Sequence, residues 1–296
     1  MGIIAFVIVL ARTNLNELWH WFREVDLWML LAALLLQVVM LSVKSTRWLL
    51  LNESEVNTSR VLQRFGEFLE AYALGAVTPG RMGELLKAGH AKGKSGVVSS
   101  GLIVVAERGF DLSIFFLVAG MSIVLGYLDI LDHFIGYILV LVAFAGMIVA
   151  VSILVIPAIT HWVIGIMKKI RIVPADAISH FARRNAKATF SFFALSVISN
   201  LCAFLSFYYT AGAVHLTPGF MIISGSVALA GVINTIPVTV MGIGTRDITL
   251  LYTLSGFPRA QVIAFSSMIL LVFQIFGGVL ALIGGQVFLW KAKRDR

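Results

Sequence analysis

Hydrophobic residues along this chain fall into long, mostly charge-free blocks separated by short polar breaks. Blocks near Leu27–Leu50, Val97–Leu128, Phe134–Ile156, Ala188–Val214 and Val262–Trp290 each reach the ~20 residues that a helix needs to cross a bilayer. A shorter block, Gly2–Ala11, precedes them and predicts an unusually short or truncated first span. Two blocks do not fit the pattern. Phe65–Val77 is only 13 residues long, carries Glu67 and Glu70, and runs into Thr78-Pro79-Gly80, which stops one helix and starts another. Leu216–Thr245 is 30 residues without a charge, yet it is broken by Asn234, Pro237, Gly242 and Gly244.

Composition turns this pattern into a class. Of 296 residues 59% are hydrophobic and 13% charged, against roughly 45–50% and about 25% in soluble domains, and the mean hydropathy is +0.95. The expectation is an all-α polytopic membrane bundle, and a water-soluble globule is excluded. The net charge of +8 would suggest nucleic acid in a soluble protein. Here the basic residues crowd the ends of apolar blocks, which points to a membrane surface and to no nucleic-acid partner. Cys202 is the sole cysteine and six histidines are scattered, so no disulfide framework and no metal are expected. Ala88–Ser95 imitates a phosphate-binding loop but lacks its first glycine and a preceding strand, so no nucleotide and no cofactor are expected.

Short loops rich in Lys and Arg stay cytoplasmic. Eighteen of the 23 basic residues lie in Lys44–Arg64, Arg81–Lys94, Lys168–Lys187 and Lys291–Arg296. Six spans with both termini cytoplasmic satisfy these charges only if neither awkward block crosses the membrane. The reading is therefore one integral membrane domain over residues 1–296, with re-entrant hairpins at about 65–90 and 216–256 that enter from opposite sides, as an inverted-topology repeat requires. Between spans, Ile159–Lys187 interleaves six basic residues with Trp162, Ile166, Ile170 and Phe181 and reads as a connector lying on the cytoplasmic leaflet. In the last span, Gly277, Ala281 and Gly285 form a small-residue face for close helix packing, and Gln274 either faces a cavity or bonds a neighbouring helix.

The few remaining charges sit where charge is costly. Glu107-Arg108-Gly109-Phe110-Asp111 lies about 10 residues into its span, roughly 15 Å deep at helical rise. Glu107 and Asp111 share a face, and Arg108 reaches Asp111 three residues on. Each such charge costs about 2.5–3.5 kcal/mol at a helix centre, so intramembrane ionisable groups mark function by default. At the hairpin tips, Thr78 can cap and Pro79 begin a half-helix carrying Arg81 and Glu84, while Thr245 can cap another carrying Arg246 and Asp247, preceded by Gly242 and Gly244. Helix amino termini beside arginines form an anion site. With Glu107 and Asp111 bordering it, the site suits a phosphate-bearing headgroup that also carries a cation.

With these residues in hand, the chain resembles the lysylphosphatidylglycerol synthase transmembrane-region family, the flippase-like domain also found at the front of multiple peptide resistance factors. The resemblance rests on Thr78-Pro79-Gly80-Arg81-Met82-Gly83-Glu84, then Glu107-Arg108 with Asp111, then Gly242-Ile243-Gly244-Thr245-Arg246-Asp247. It implies a helical bundle with two re-entrant hairpins that moves a phospholipid with an anionic or aminoacylated headgroup between leaflets of a prokaryotic cytoplasmic membrane. Thr78, Pro79, Arg81, Glu84, Glu107, Arg108, Asp111, Gly242, Gly244, Arg246 and Asp247 are then expected to bind substrate. No aminoacyltransferase domain follows Arg296, so the synthase activity of the family name is not carried over and no enzyme is expected. A membrane partner for a separate soluble enzyme, a membrane-embedded enzyme using an acidic residue as general base, and a homo-oligomer stay open as alternatives or additions.

Overall fold

The computed structural model describes residues 13–52, 57–89, 93–129, 131–156, 186–235 and 241–294, with isolated positions between 158 and 169. Gly2–Ala11, Pro237 and nearly all of the Ile159–Lys187 connector lie outside the described residues. Among the described residues every regular element is helical.

The chain enters through a nine-residue helix, α1 (Leu15–Arg23), where hydropathy alone predicts a loop. Asn14 caps it by accepting from the N–H groups of Asn16 and Glu17. Leu18, Trp21 and Phe22 at helical spacing pack on the core, while Leu15 and Trp19 face outward. A short amphipathic helix of this kind lies naturally where protein meets the lipid interface.

α2 (Leu27–Asn52), α6 (His133–Val155), α7 (Ala186–Ala213) and the continuous helix Arg259–Arg294 are each long and apolar enough to cross a membrane. α5 (Gly93–Val124) is equally long, at 32 residues, but carries Glu107, Arg108 and Asp111 in its middle. Leu35, Leu141, Phe144, Ile148 and Ile283 are exposed on these helices. A surface of this kind needs lipid rather than water, and the chain is a multi-pass membrane protein.

Two helical hairpins sit among the long helices. In the first, α3 (Thr58–Val77) starts seven residues before the apolar block does, because Asn57 caps it through the Arg60 N–H. It ends at Thr78, and the chain turns back through a 3₁₀ segment (Pro79–Leu85) into the single turn α4 (Leu86–Gly89). In the second, α8 (Phe220–Ile233) is followed by a break and by α9 (Thr245–Thr253), which folds back on it. The last long helix then runs as α10 (Arg259–Ile269), a π-helical turn (Leu270–Phe276) and α11 (Gly277–Arg294).

The packing is reciprocal. α2 and α7 pair antiparallel: the Asp26 N–H donates to the Ala213 carbonyl, and the Ser206 hydroxyl donates to the Ala33 carbonyl. The first arm of hairpin one, α3, lies antiparallel along α11, where a Cβ on Gly66 would stand 2.6 Å from Leu289 and one on Gly285 3.1 Å from the Glu70 backbone. The first arm of hairpin two, α8, lies along α5 in the same fashion, with Ser122 donating to the Met221 carbonyl and Gly231 against Phe115. Each half thus lends its hairpin to the long helix of the other. Between lipid-exposed helices little hydrophobic force favours association, so small residues that admit close approach supply the attraction. The expected face of Gly277, Ala281 and Gly285 is buried in this role.

The tip of hairpin one depends on one glycine. A Cβ at Gly83 would lie 2.5 Å from the carbonyl carbon of Leu74 and 2.6 Å from the Gly75 nitrogen, both backbone atoms that cannot move aside. Gly83→Ala should therefore lower stability by about 1–3 kcal/mol, the usual range for overpacking. The measurement is thermal unfolding of detergent-solubilised protein. Gly89→Ala, where nothing lies within 4 Å of the added Cβ, should leave the midpoint nearly unchanged.

Candidate functional site

The centre of the protein is an ion network. Arg47, on α2, donates through Nε to Glu107 Oε1 at 3.1 Å and through Nη1 and Nη2 to Asp111 at 2.7 and 3.1 Å. Nη1 also donates to Ser196 on α7 at 2.8 Å. Lys44, one turn earlier on α2, donates to Asp111 at 2.9 Å, and Asn200 of α7 adds a further donor to that carboxylate at 3.1 Å. Lys87, in α4, donates to the other oxygen of Glu107 at 3.0 Å and lies over the rings of Trp48 and Phe68. Arg47 is 3% exposed and Glu107 1%. Charges this buried are tolerable only when each is matched and its remaining lone pairs are satisfied, and here one arginine fork serves two carboxylates from adjacent turns of α5.

Beside this network the hairpin tips face one cavity of about 430 Å³. At the first tip the Thr78 hydroxyl accepts from the Gly83 N–H at 2.8 Å, closing the turn. Arg81 adopts a left-handed backbone, φ 55°, and its guanidinium lies 5.2 Å over the Tyr72 ring. Arg108 donates to Glu84 at 2.7 Å and to the Arg81 carbonyl at 3.2 Å, locking α5 to the tip. At the second tip Met241, Gly242 and Gly244 all have positive φ. A Cβ on Gly242 would meet Asn234 Nδ2 at 2.5 Å and be held at φ 70°, a backbone that favours glycine. Asp247 accepts from the Gly244 N–H at 2.8 Å and from the Ser266 hydroxyl, and Ser266 in turn accepts from Arg246 Nε at 2.8 Å. Gln274, in the π-helical turn, lines the cavity and donates to the Met241 carbonyl at 3.4 Å. A π turn placed at such a position is a recurrent feature of functional sites.

Thr78, Arg81, Arg108, Asp111, Gly242 and Arg246, all singled out in the sequence, line this cavity together. Glu84, Glu107 and Asp247 stand behind it as buried counter-ions, and Pro79 and Gly244 shape the turns. Three expectations change. Arg108 does not pair with Asp111 on its own helix; it pairs with Glu84 across the tip, because Asp111 is already held by Arg47 and Lys44. The tip of hairpin one is a tight 3₁₀ turn rather than an α half-helix, and Thr78 bonds the Gly83 N–H rather than capping the first turn. The cap of α9 is Gly244, whose positive φ begins the helix one residue earlier than expected, while the Thr245 hydroxyl donates to Asn234 at 2.5 Å.

Lys44, Arg47 and Lys87 are site residues that charge counting assigns to cytoplasmic loops. A signal for two of them was present: Lys44 and Arg47 fall at i,i+3 inside a block otherwise apolar enough to span. Among the described residues no group of three His, Cys, Asp or Glu side chains converges as a metal centre would require. Chemically, the site is a cationic cavity with apolar walls that include Phe115, Phe207 and Phe273.

Removing Arg47 leaves Glu107 and Asp111 short of their shared partner, and breaking a buried pair on one side costs about 3–5 kcal/mol. Arg47→Met should lower unfolding stability in detergent by that amount. Arg47→Met combined with Glu107→Gln should recover part of it, and the double-mutant cycle is the check.

No curated protein and no solved structure matches the chain. The model of the family described as the lysylphosphatidylglycerol synthase TM region matches residues 1–284. That range takes in both hairpin tips and α5, and the chain belongs to this family.

Proposed function

We propose that this protein is a non-enzymatic lipid carrier that moves a phospholipid or lipid-linked headgroup between the leaflets of a prokaryotic cytoplasmic membrane. The observation that carries the reading is the cavity itself, where Lys44, Arg81, Arg108 and Arg246 meet aromatic and aliphatic walls between two hairpin tips. A phosphate headgroup joined to acyl chains needs this combination of cationic donors and apolar surface. The cavity volume of about 430 Å³ lies within the roughly 300–1,000 Å³ of small-molecule sites.

The reciprocal packing of α3 on α11 and of α8 on α5 supports reading the two hairpins as re-entrant and as halves of an inverted repeat. In that topology six spans place both termini in the cytoplasm, and the cavity at the junction is exposed to one leaflet or the other as the halves rock. The basic termini of the apolar blocks favour this orientation. Movement is passive or ion-coupled, the chain carrying no nucleotide motif in its sequence.

Purified protein in liposomes should scramble a labelled anionic phospholipid faster than empty liposomes do. Arg108→Ala combined with Arg246→Ala should reduce the rate at least tenfold, since each charge-assisted contact to phosphate contributes roughly 1.5–3 kcal/mol. An unchanged rate in that variant would remove these residues from the path.

A further inference from the structure

The charges around the cavity do not balance, and the sign of the excess bears on which headgroup fits. Each carboxylate is already engaged. Asp111 accepts from Lys44, Arg47 and Asn200, and Glu107 from Arg47 and Lys87. Glu84 accepts from Arg108 at 2.7 Å, with Arg81 and Lys87 at 3.8 and 3.9 Å. Asp247 is taken up by Ser266 and by the backbone of its own helix.

The cations are less fully matched. Lys44, Arg47, Arg81, Lys87 and Arg108 face three carboxylates, Glu84, Glu107 and Asp111, in one connected network. The ion pair that Arg81 makes is a long one. It sits 3.8 Å from Glu84, over the ring of Tyr72, with its side chain about a third exposed at 34%. Arg108 is similarly exposed at 35% and, with five N–H donors in a fixed fork, keeps some free beyond Glu84 and the Arg81 carbonyl. Among the described lining residues, Asp111 is the single acid against four cations. Where a further acid would be needed to receive an ammonium group, the cavity has the neutral amide of Gln274, whose Oε1 is buried with no partner.

We propose that the cavity selects a phosphate-bearing headgroup of net negative charge and rejects one to which a cationic amino acid is esterified. This rests on the lipid-carrier reading above and narrows its substrate class. A phosphodiester brings one negative charge to Arg81 and Arg108, and a headgroup hydroxyl supplies the donor that Gln274 Oε1 lacks. An esterified lysine would add two ammonium groups to a cavity already in positive excess, with no carboxylate unengaged to receive them. Unmatched like charges of this kind are how sites discriminate against a wrong partner.

Competition binding to the full-length protein in detergent, read by native mass spectrometry, tests the idea with phosphatidylglycerol, lysylphosphatidylglycerol, zwitterionic phosphatidylcholine and soluble glycerol phosphate. Phosphatidylglycerol should bind at least about tenfold more tightly than the lysyl ester, a difference of about 1.4 kcal/mol. Gln274→Glu, which adds the missing carboxylate without changing side-chain shape, should narrow or invert that preference, and Arg81→Gln should weaken phosphatidylglycerol and so narrow its lead over the lysyl ester. Equal or tighter binding of the lysyl ester overturns the proposal, as does a preference that neither substitution alters. Glycerol phosphate should compete poorly; if it matched the lipid, the anionic selectivity would stand and its lipid source would fall. Selective binding without scrambling would overturn the carrier reading alone, whereas scrambling blind to headgroup charge would overturn the selectivity alone.

Discussion

One arginine buried in the middle of a membrane protein organises this fold. Arg47 is desolvated, so its charge is tolerated only because Glu107 and Asp111 meet it in a fixed three-pronged geometry and Ser196 takes a fourth hydrogen bond. Those partners sit on α5 and α7, and the arginine on α2. The pairing therefore joins three long helices whose outward faces are as apolar as lipid and would otherwise have little reason to associate. It also fixes the register, because sliding any one helix by a turn would strand a charge in hydrocarbon.

From that anchor the hairpins follow. Lys87 ties the far side of Glu107 to α4, and Arg108, left without Asp111, reaches across to Glu84 and the Arg81 carbonyl. The first tip is thereby pinned to α5, and Gly83 allows the turn to lie against its own helix end. The second tip is held differently, through Asp247, Ser266 and the positive-φ backbone at Gly242 and Gly244. The two tips are thus held by separate devices and face one cavity.

Much of this was legible in the residue pattern. The long apolar blocks reappear as helices within a few residues of their expected ends, since hydrophobic length is set by the bilayer rather than by tertiary contacts. The two interrupted blocks reappear as hairpins, since Pro79 lacks the N–H that would continue a helix and Gly242 and Gly244 readily take the positive φ that ends one. What misled was the treatment of basic residues near block ends as orientation signals. Lys44, Arg47 and Lys87 occupy such positions, and a rule based on counting charges in loops cannot separate a lysine that faces water from one that turns inward. The amphipathic α1 was missed for a related reason: nine residues are too few to register as a hydrophobic block.

The sequence by itself determined the class of molecule, the places where the chain must cross or turn back, and the motifs that set the family, because each depends on local composition and backbone chemistry. Tertiary structure alone decided which charges meet. Arg108 lies three residues from Asp111 yet pairs with Glu84, and Arg47 lies 60 and 64 residues from the two acids it serves. Ion pairing falls off with distance in space, and distance in space between helices is a property of their packing. The same packing left the cavity with more positive charge than its acids can match, and no count of residues along the chain could assign that excess to one place.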